Sequence, residues 1–142
     1  MQKIGVVGSG TMGNGIAHVF AQAGYGVVLN DLREDLLEKA LATIGKNLQR
    51  GVDKGRMQAS EKEQILQRIQ IDTQLENLGD CDLVVEAISE NLTWKTDLFK
   101  KLDANLQPHA ILASNTSSIS ITKLAAVTQR PDRFIGMHFM NP

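Results

Sequence analysis

Apolar and polar residues alternate along this chain with two distinct periods. Short runs of β-branched and aliphatic residues occur at positions 3–7, 27–30, 69–71, 83–87, 111–113 and 134–138, and each run is typical of a buried strand. Between these runs lie longer stretches in which apolar residues recur every three or four positions, as in an amphipathic helix. The alternation predicts a single doubly wound α/β domain over residues 1–142, with a mainly parallel sheet and helices on both faces.

Three of the helical stretches carry signals for where they begin or end. The clearest places five apolar residues on one face and ends within 51–55, where glycines occur; the five are Leu37, Ala40, Leu41, Ile44 and Leu48. A second helix is predicted to begin at Ser60, because Ser60 and Glu63 fit a capping box. A third is predicted to begin after Asn91, a favourable N-cap, and to end before Pro108.

The strongest local signal is a glycine-rich loop between the first strand run and the helix after it, with the sequence Gly8-Ser9-Gly10-Thr11-Met12-Gly13. At this spacing the first glycine permits a tight turn, the second lets the backbone approach a pyrophosphate, and the third lets helix and strand pack closely. The helix N-terminus adds free N–H groups and partial positive charge. Because the loop closes a strand and opens a helix, it predicts a dinucleotide-binding site in a Rossmann-type fold.

An acidic residue, Asp31, follows the second strand run, about 20 residues after the loop. A carboxylate there can accept both hydrogen bonds from the adenosine ribose diol, and its charge repels a 2′-phosphate, so the predicted cofactor is NAD rather than NADP. The alternative interpretation makes Asp31 the N-cap of the following helix, and the two roles can coexist. The nearby Arg33 is interpreted as a solvated side chain.

Composition narrows the possible partners. The 142 residues carry 15 Lys and Arg against 16 Asp and Glu, a formal net charge of -1, so neither nucleic acid nor a membrane is an expected partner. The single cysteine, Cys81, is interpreted as a small core residue, and it excludes an internal disulfide framework; no metal site is predicted. The first residues run directly into a strand pattern without a signal peptide, so the predicted location is cytoplasmic.

Three later segments carry a family resemblance. They are 81–90 (Cys-Asp-Leu-Val-Val-Glu-Ala-Ile-Ser-Glu), 113–118 (Ala-Ser-Asn-Thr-Ser-Ser) and 136–142 (Gly-Met-His-Phe-Met-Asn-Pro). With these segments in this order, the chain resembles the short-chain L-3-hydroxyacyl-CoA dehydrogenases over its whole length, and the bacterial 3-hydroxybutyryl-CoA dehydrogenases among them. The resemblance implies an NAD-dependent oxidoreductase that interconverts an L-3-hydroxyacyl-CoA and its 3-oxoacyl-CoA.

Two residues would carry the chemistry by this resemblance. His138 would be the catalytic acid/base, and Ser117 would contact both the 3-oxygen of the substrate and the nicotinamide. Oxidising a secondary alcohol by hydride transfer requires a base for the hydroxyl proton, and imidazole titrates near neutral pH. A neutral hydroxyl such as that of Ser117 can hold the same oxygen without adding charge. The other histidines, His18 and His109, are interpreted as structural or exposed.

Five further residues receive roles from the resemblance alone. Glu90 and Lys95 match residues that line the cofactor near its nicotinamide end, and Asn141 matches another residue there. The alternative makes Glu90 an ordinary acid in a first helical turn and Lys95 a solvated helix cation. Asn47 and Lys54 fall where the family contacts coenzyme A, and the alternative for both is a solvated helix surface.

Members of the family continue after the Asn-Pro pair into a mostly helical second domain. By the resemblance, that domain supplies a glutamate that orients the histidine and an asparagine that reaches the substrate, and it makes the full-length protein a homodimer. The present sequence ends at Pro142, so we expect the 142-residue chain to bind NAD but to be nearly inactive alone. A base without its orienting carboxylate loses control of its tautomer.

Two other functions stay open on the sequence alone. An NAD-dependent dehydrogenase of a free hydroxy acid or sugar acid would share the glycine loop, Asp31, Ser117 and His138, and would differ only in the coenzyme A contacts. Turnover with a short acyl-CoA compared with the free acid separates these readings. A non-catalytic NAD-sensing module would have no need for His138 and Ser117, and loss of turnover in His138→Ala with cofactor affinity retained would exclude it.

Overall fold

The computed structural model describes residues 1–139. Along this range the elements are β1 (Lys3–Val7), α1 (Thr11–Gln22), β2 (Gly26–Asn30), α2 (Glu34–Asp53), α3 (Ala59–Gln67), β3 (Ile69–Asp72), β4 (Leu83–Glu86), α4 (Leu92–Asn105), β5 (Ile111–Ser114), α5 (Ile121–Ala125) and β6 (Phe134–Gly136). Short 3₁₀ turns lie at Leu75–Leu78 and Pro131–Arg133. No helix in the described range combines the length and the apolar character needed to cross a membrane.

The strands form one parallel sheet in the order β3-β2-β1-β4-β5-β6. The chain begins the sheet at β1, builds outward through β2 and β3, and then returns to the other side of β1 with β4. The carboxyl ends of β1 and β4 therefore flank a topological switch point, where ligands bind in open α/β sheets. The predicted doubly wound, Rossmann-type fold is confirmed.

Helices cover both faces of the sheet because successive strand residues point to opposite sides. Ile4 and Val6 pack in one apolar layer with buried residues of α1, α2 and α3. Val28 and Val84 belong to the opposite layer, which includes buried residues of α4 and α5. Cys81 lies in this second layer, and burial raises the pKa of its thiol to about 12, so the interpretation as a small core residue is confirmed.

Two predictions about helix starts are wrong. The helix expected to begin at Ser60 begins at Ala59, and the carbonyl of Gln58 already accepts hydrogen bonds from the N–H groups of Glu61 and Lys62. Ser60 therefore lies inside the first turn and cannot cap it. The interpretation of Asp31 as an N-cap also fails, because α2 begins at Glu34.

Two predicted strands are shorter than expected at their carboxyl ends. β4 ends at Glu86 and β6 ends at Gly136, where the pairing of Gly136 with Ser114 closes the ladder between β5 and β6. His138 consequently lies in the loop that follows β6 rather than in the strand. This places it at the same edge of the sheet as the loops after β1, β4 and β5.

Candidate active site

The glycine loop is built around one close backbone approach. Gly8 has a φ of +103°, and its N–H donates to the carbonyl of Asn30 at 2.8 Å, which ties the loop to the end of β2. A Cβ on Gly13 would lie 1.7 Å from the carbonyl oxygen of Gly8, so α1 can start this close to the strand only without a side chain at position 13. The first and third glycines therefore have the geometric roles that their spacing predicts.

The second glycine faces open space instead. A Cβ on Gly10 would have no atom within 4 Å, and the N–H groups of residues 10–13 donate to no acceptor among the described residues. These N–H groups form the positive end of α1. An open backbone surface with unused donors fits a pyrophosphate, so this loop can hold the phosphates of a dinucleotide.

Asp31 lies beside this loop, one residue after β2. Its Oδ2 accepts hydrogen bonds from the Ser9 N–H at 2.8 Å and the Ser9 hydroxyl at 2.6 Å, and its Oδ1 accepts from the Leu32 N–H at 2.7 Å. The carboxylate is thus fixed next to the phosphate loop, and Oδ1 keeps an acceptor position for a ribose hydroxyl. The exposed Arg33 pairs with Asp35, at 2.5 Å, and not with Asp31.

A cleft of about 860 Å³ lies between α1 and α2 and begins at this loop. Four of the predicted cofactor residues line it, namely Ser9, Gly10, Thr11 and Asp31. Asn47 lines the same cleft from α2, whereas Lys54 follows the C-terminus of α2, is exposed, and is not part of the lining. The structure therefore places one of the two predicted coenzyme A residues in the cleft that begins at the glycine loop.

A second cleft, of about 420 Å³, lies on the other side of the switch point. The predicted site residues that line it are Met12, Glu90, Lys95, Ser117 and His138. They come from four separate places in the chain: the glycine loop, the segment from the end of β4 into α4, the loop after β5, and the loop after β6. Residues predicted to meet the nicotinamide thus share one cavity, while Asn141, predicted beside them, lies outside the described residues.

His138 is held through its backbone neighbours. The Met137 N–H donates to the carbonyl of Ser114 at 2.9 Å, and the Phe139 N–H donates to Oδ1 of Asn115 at 2.9 Å. The His138 side chain is exposed to the cleft, and its ring makes no hydrogen bond to any residue of 1–139. Its backbone is therefore fixed while the ring stays available to a ligand.

Lys95 and Glu90 face the same cleft as an ion pair. Lys95 is only 1% exposed, and its Nζ lies 3.1 Å from Oε1 of Glu90 and 2.5 Å from Oε2 of Glu86. The alternative of a solvated helix cation is wrong for Lys95, since its charge is buried between two carboxylates. Glu90 is not a first-turn acid either, because Asn91 is the N-cap of α4.

The carboxylate of Glu90 also reaches the loop that carries Ser117. Its Oε2 accepts hydrogen bonds from the hydroxyls of Thr116 and Ser118, the two neighbours of Ser117. Partial burial by itself raises the pKa of Glu90, but the hydrogen bonds from Ser118, Thr116 and Lys95 outweigh it and lower the pKa to about 2. Glu90 is therefore a carboxylate throughout the neutral range.

Sequence reasoning missed three residues that support the walls of this cleft. Glu86, Ser114 and Asn115 were assigned no role, yet Glu86 pairs with Lys95, and Asn115 anchors the segment after β6. One signal was present in the sequence, because Glu86 is the one charged residue in the otherwise apolar run 83–87. A charge in that place is costly unless a partner is buried with it.

Known proteins resemble this chain over its whole length. The family model described as 3-hydroxyacyl-CoA dehydrogenase, NAD binding domain, matches residues 3–142. A 3-hydroxybutyryl-CoA dehydrogenase of Bradyrhizobium diazoefficiens is 54% identical over 142 residues, which are 100% of this chain and 48% of the relative. The crystal structure of an (S)-3-hydroxybutyryl-CoA dehydrogenase from Ralstonia eutropha superposes with a TM-score of 0.97 at 46% identity and covers 100% of this chain and 50% of that one.

A third similar structure is a 3-hydroxybutyryl-CoA dehydrogenase from Escherichia coli, with a TM-score of 0.97 at 42% identity over 99% of this chain and 30% of that one. The chain spans about half the length of several curated relatives that it matches. A family model that covers nearly every residue settles the membership. The chain belongs to the family of NAD-binding domains of 3-hydroxyacyl-CoA dehydrogenases, and its cofactor is NAD.

Proposed function

We propose that the native protein interconverts an L-3-hydroxyacyl-CoA, with 3-hydroxybutyryl-CoA as the first candidate, and the corresponding 3-oxoacyl-CoA in the cytoplasm. The observation that carries this proposal is the presence of His138 and Ser117 in one cleft beside the glycine loop. The printed names of the relatives, which are 3-hydroxybutyryl-CoA dehydrogenases, support the same substrate class.

The chain's own residues have separate tasks in this proposal. Bound NAD supplies the acceptor for the hydride of the substrate's secondary alcohol. A ring nitrogen of His138 takes the hydroxyl proton in oxidation and returns it in reduction, and the Ser117 hydroxyl holds the same oxygen. The N–H groups of residues 10–13 bind the pyrophosphate, and Asp31 binds the adenosine ribose. Glu90 and Lys95 line the nicotinamide end of the cofactor site. Asn141, which is not among the described residues, is proposed to contact the same end of the cofactor.

Asn47 and Lys54 are proposed to contact coenzyme A. Asn47 lines the larger cleft, and Lys54 lies one residue past α2, where a cation suits the phosphates of the carrier.

The substrate class is tested by assaying the native protein with NADH and either acetoacetyl-CoA or free acetoacetate. Turnover of the CoA ester alone supports the proposal, while equal turnover of the free acid would assign the protein to the hydroxy-acid dehydrogenases instead.

We further propose that the native protein includes a helical second domain and forms a homodimer through it. Two curated relatives, 54% and 51% identical to this chain, are about twice as long, and the ring of His138 lacks an orienting hydrogen bond within residues 1–139. A carboxylate from such a domain would fix the tautomer of the ring. We expect light scattering to give twice the chain mass for the native protein, and a monomeric mass at all concentrations would contradict the dimer.

The choice of cofactor gives a prediction at Asp31. Changing Asp31 to Asn should weaken NAD binding by about tenfold or more, because a hydrogen bond to a charged acceptor contributes about 1.5–3 kcal/mol. The same change should weaken NADP binding less, since it also removes the charge that repels the 2′-phosphate. Calorimetry with both cofactors measures the preference, and the exposed Asp97→Asn serves as the control. An unchanged preference would show that Asp31 does not contact the ribose.

A further inference from the structure

Glu86 is a buried carboxylate at the end of a central strand. Its side chain is 0% exposed, it lies between Val7 of β1 and Ser114 of β5 in the sheet, and it lines neither cleft. The paired position in β1 is a valine, which completes its strand without the desolvation cost that a buried carboxylate carries. The sheet alone therefore does not account for a glutamate in this place.

The two oxygens of this carboxylate bind different parts of the second cleft. Oε2 accepts hydrogen bonds from the Lys95 Nζ at 2.5 Å and from the Ile88 N–H at 2.7 Å, and both Lys95 and Ile88 line the cleft. Oε1 accepts a hydrogen bond from the Ser114 hydroxyl at 2.5 Å. One buried group thus joins the segment after β4, the helix α4 and the end of β5.

The contact with Ser114 continues to the turn that carries Ser117. The Ser114 hydroxyl oxygen accepts a hydrogen bond from the Thr116 N–H at 3.2 Å. The Thr116 hydroxyl oxygen in turn accepts from the N–H groups of Ser118 and Ile119, at 3.3 and 3.1 Å. The backbone on both sides of Ser117 is therefore connected to Glu86 through two side-chain hydroxyls.

We propose that Glu86 is a positioning residue, which fixes Lys95 on one wall of the second cleft and the turn that carries Ser117 on the other. The inference rests on the proposed function, in which both walls contact the reacting end of the cofactor and the substrate. Side chains that contact a ligand work less well when the residues that hold them in place become mobile, even though those supporting residues do not touch the ligand. Glu86 acts through its neighbours, and the adenosine half of the site, around Ser9 and Asp31, does not depend on it.

The test compares NADH with ADP-ribose, which contains the adenosine, the pyrophosphate and the second ribose of the cofactor but not the nicotinamide ring. In Glu86→Gln, the affinity for NADH should fall by about tenfold, because Lys95 loses its buried charged partner and the nicotinamide wall shifts. The affinity for ADP-ribose, which lacks the nicotinamide, should stay within about twofold, because distant sites behave independently. In the native protein, kcat with acetoacetyl-CoA should fall by about 10- to 100-fold.

A second variant isolates the contact that leads to Ser117. Ser114→Ala keeps the ion pair of Glu86 and Lys95 and removes the hydroxyl that connects Glu86 to Thr116, so it should lower kcat with little change in ADP-ribose affinity. If Glu86→Gln does not fold, Ser114→Ala still tests the inference. The matched control is Glu63→Gln, an exposed glutamate of α3, which should match the parent in all three measurements.

The outcomes separate this inference from the proposed function. If NADH and ADP-ribose affinities fall in parallel in Glu86→Gln, or if kcat and the NADH affinity of the folded variants equal those of the parent, Glu86 has only a structural role and the inference is overturned. If the native protein binds NADH but does not turn over the acyl-CoA, the proposed reaction is wrong, and the ratio of the two affinities still decides the role of Glu86.

Discussion

Replacing His138 by glutamine should lower the kcat of the native protein with acetoacetyl-CoA and NADH by about 10² to 10⁴, the contribution of a positioned acid/base. Glutamine can still hydrogen-bond the substrate oxygen, but it cannot take or give the proton at neutral pH. The backbone at His138 is held by the N–H groups of Met137 and Phe139, and its side chain is exposed. The substitution should therefore remove the ring without disturbing the fold or the phosphate loop.

The measurement needs both a rate and an affinity. Steady-state kinetics gives kcat, and calorimetry on the same preparation should show NAD affinity near that of the parent. His109→Gln is the matched control, because His109 is an exposed histidine that pairs with Asp82, at 3.0 Å, and lines neither cleft. A kcat near the parental value for His138→Gln would exclude His138 as the acid/base, whereas a parent protein that binds NAD but turns over no acyl-CoA would favour a binding module over an enzyme.

The order of elements could be predicted from the sequence, because strand and helix periods differ strongly in a sheet covered on both faces. The residues at which strands end could not be predicted, because a strand ends where its partner strand stops offering hydrogen bonds. The run from Phe134 to His138 continues an extended pattern, but β5 offers no partner beyond Ser114, whose carbonyl accepts the hydrogen bond from the Met137 N–H. The position of His138 in a loop follows from the length of β5, which its own segment does not encode.

The site was predictable where a residue stands in a motif whose geometry is local. Gly8, Gly13 and Asp31 are of this kind, because the turn, the helix start and the end of the next strand lie within one β-α-β unit. The burial of Lys95 was not predictable, since its exposure depends on Glu86, which only the pairing of β4 with β1 and β5 makes a buried group. Contacts between the ends of neighbouring strands thus limit what the sequence alone tells about the cleft.

Substitutions at Gly10 and Gly13 of the phosphate loop should affect different properties, namely NAD binding at Gly10 and the stability of the fold at Gly13. Gly10→Val should abolish measurable NAD binding with little change in melting temperature, because a Cβ at position 10 meets no protein atom and the branched side chain fills the space that the pyrophosphate requires. The φ of Gly10 is -67°, a value that valine adopts without strain. Calorimetry with NAD and thermal unfolding of the same sample measure both effects.

Gly13→Ala should instead reduce the free energy of unfolding by about 3 kcal/mol or more, at the upper end of the cost of overpacking. The added Cβ would lie 1.7 Å from the Gly8 carbonyl oxygen, and this neighbour is backbone of the same tight turn, so α1 and β1 must move apart. Gly45→Ala is the matched control, because Gly45 lies inside α2 with no atom within 4 Å of a Cβ, and alanine there should stabilise the helix by about 0.5–1 kcal/mol. Denaturant unfolding of the two variants compares the same chemical change with and without the backbone contact. If both variants gain stability, the close packing of Gly13 on Gly8 does not hold α1 at the sheet, and the assignment of this loop as a phosphate cradle loses its geometric basis.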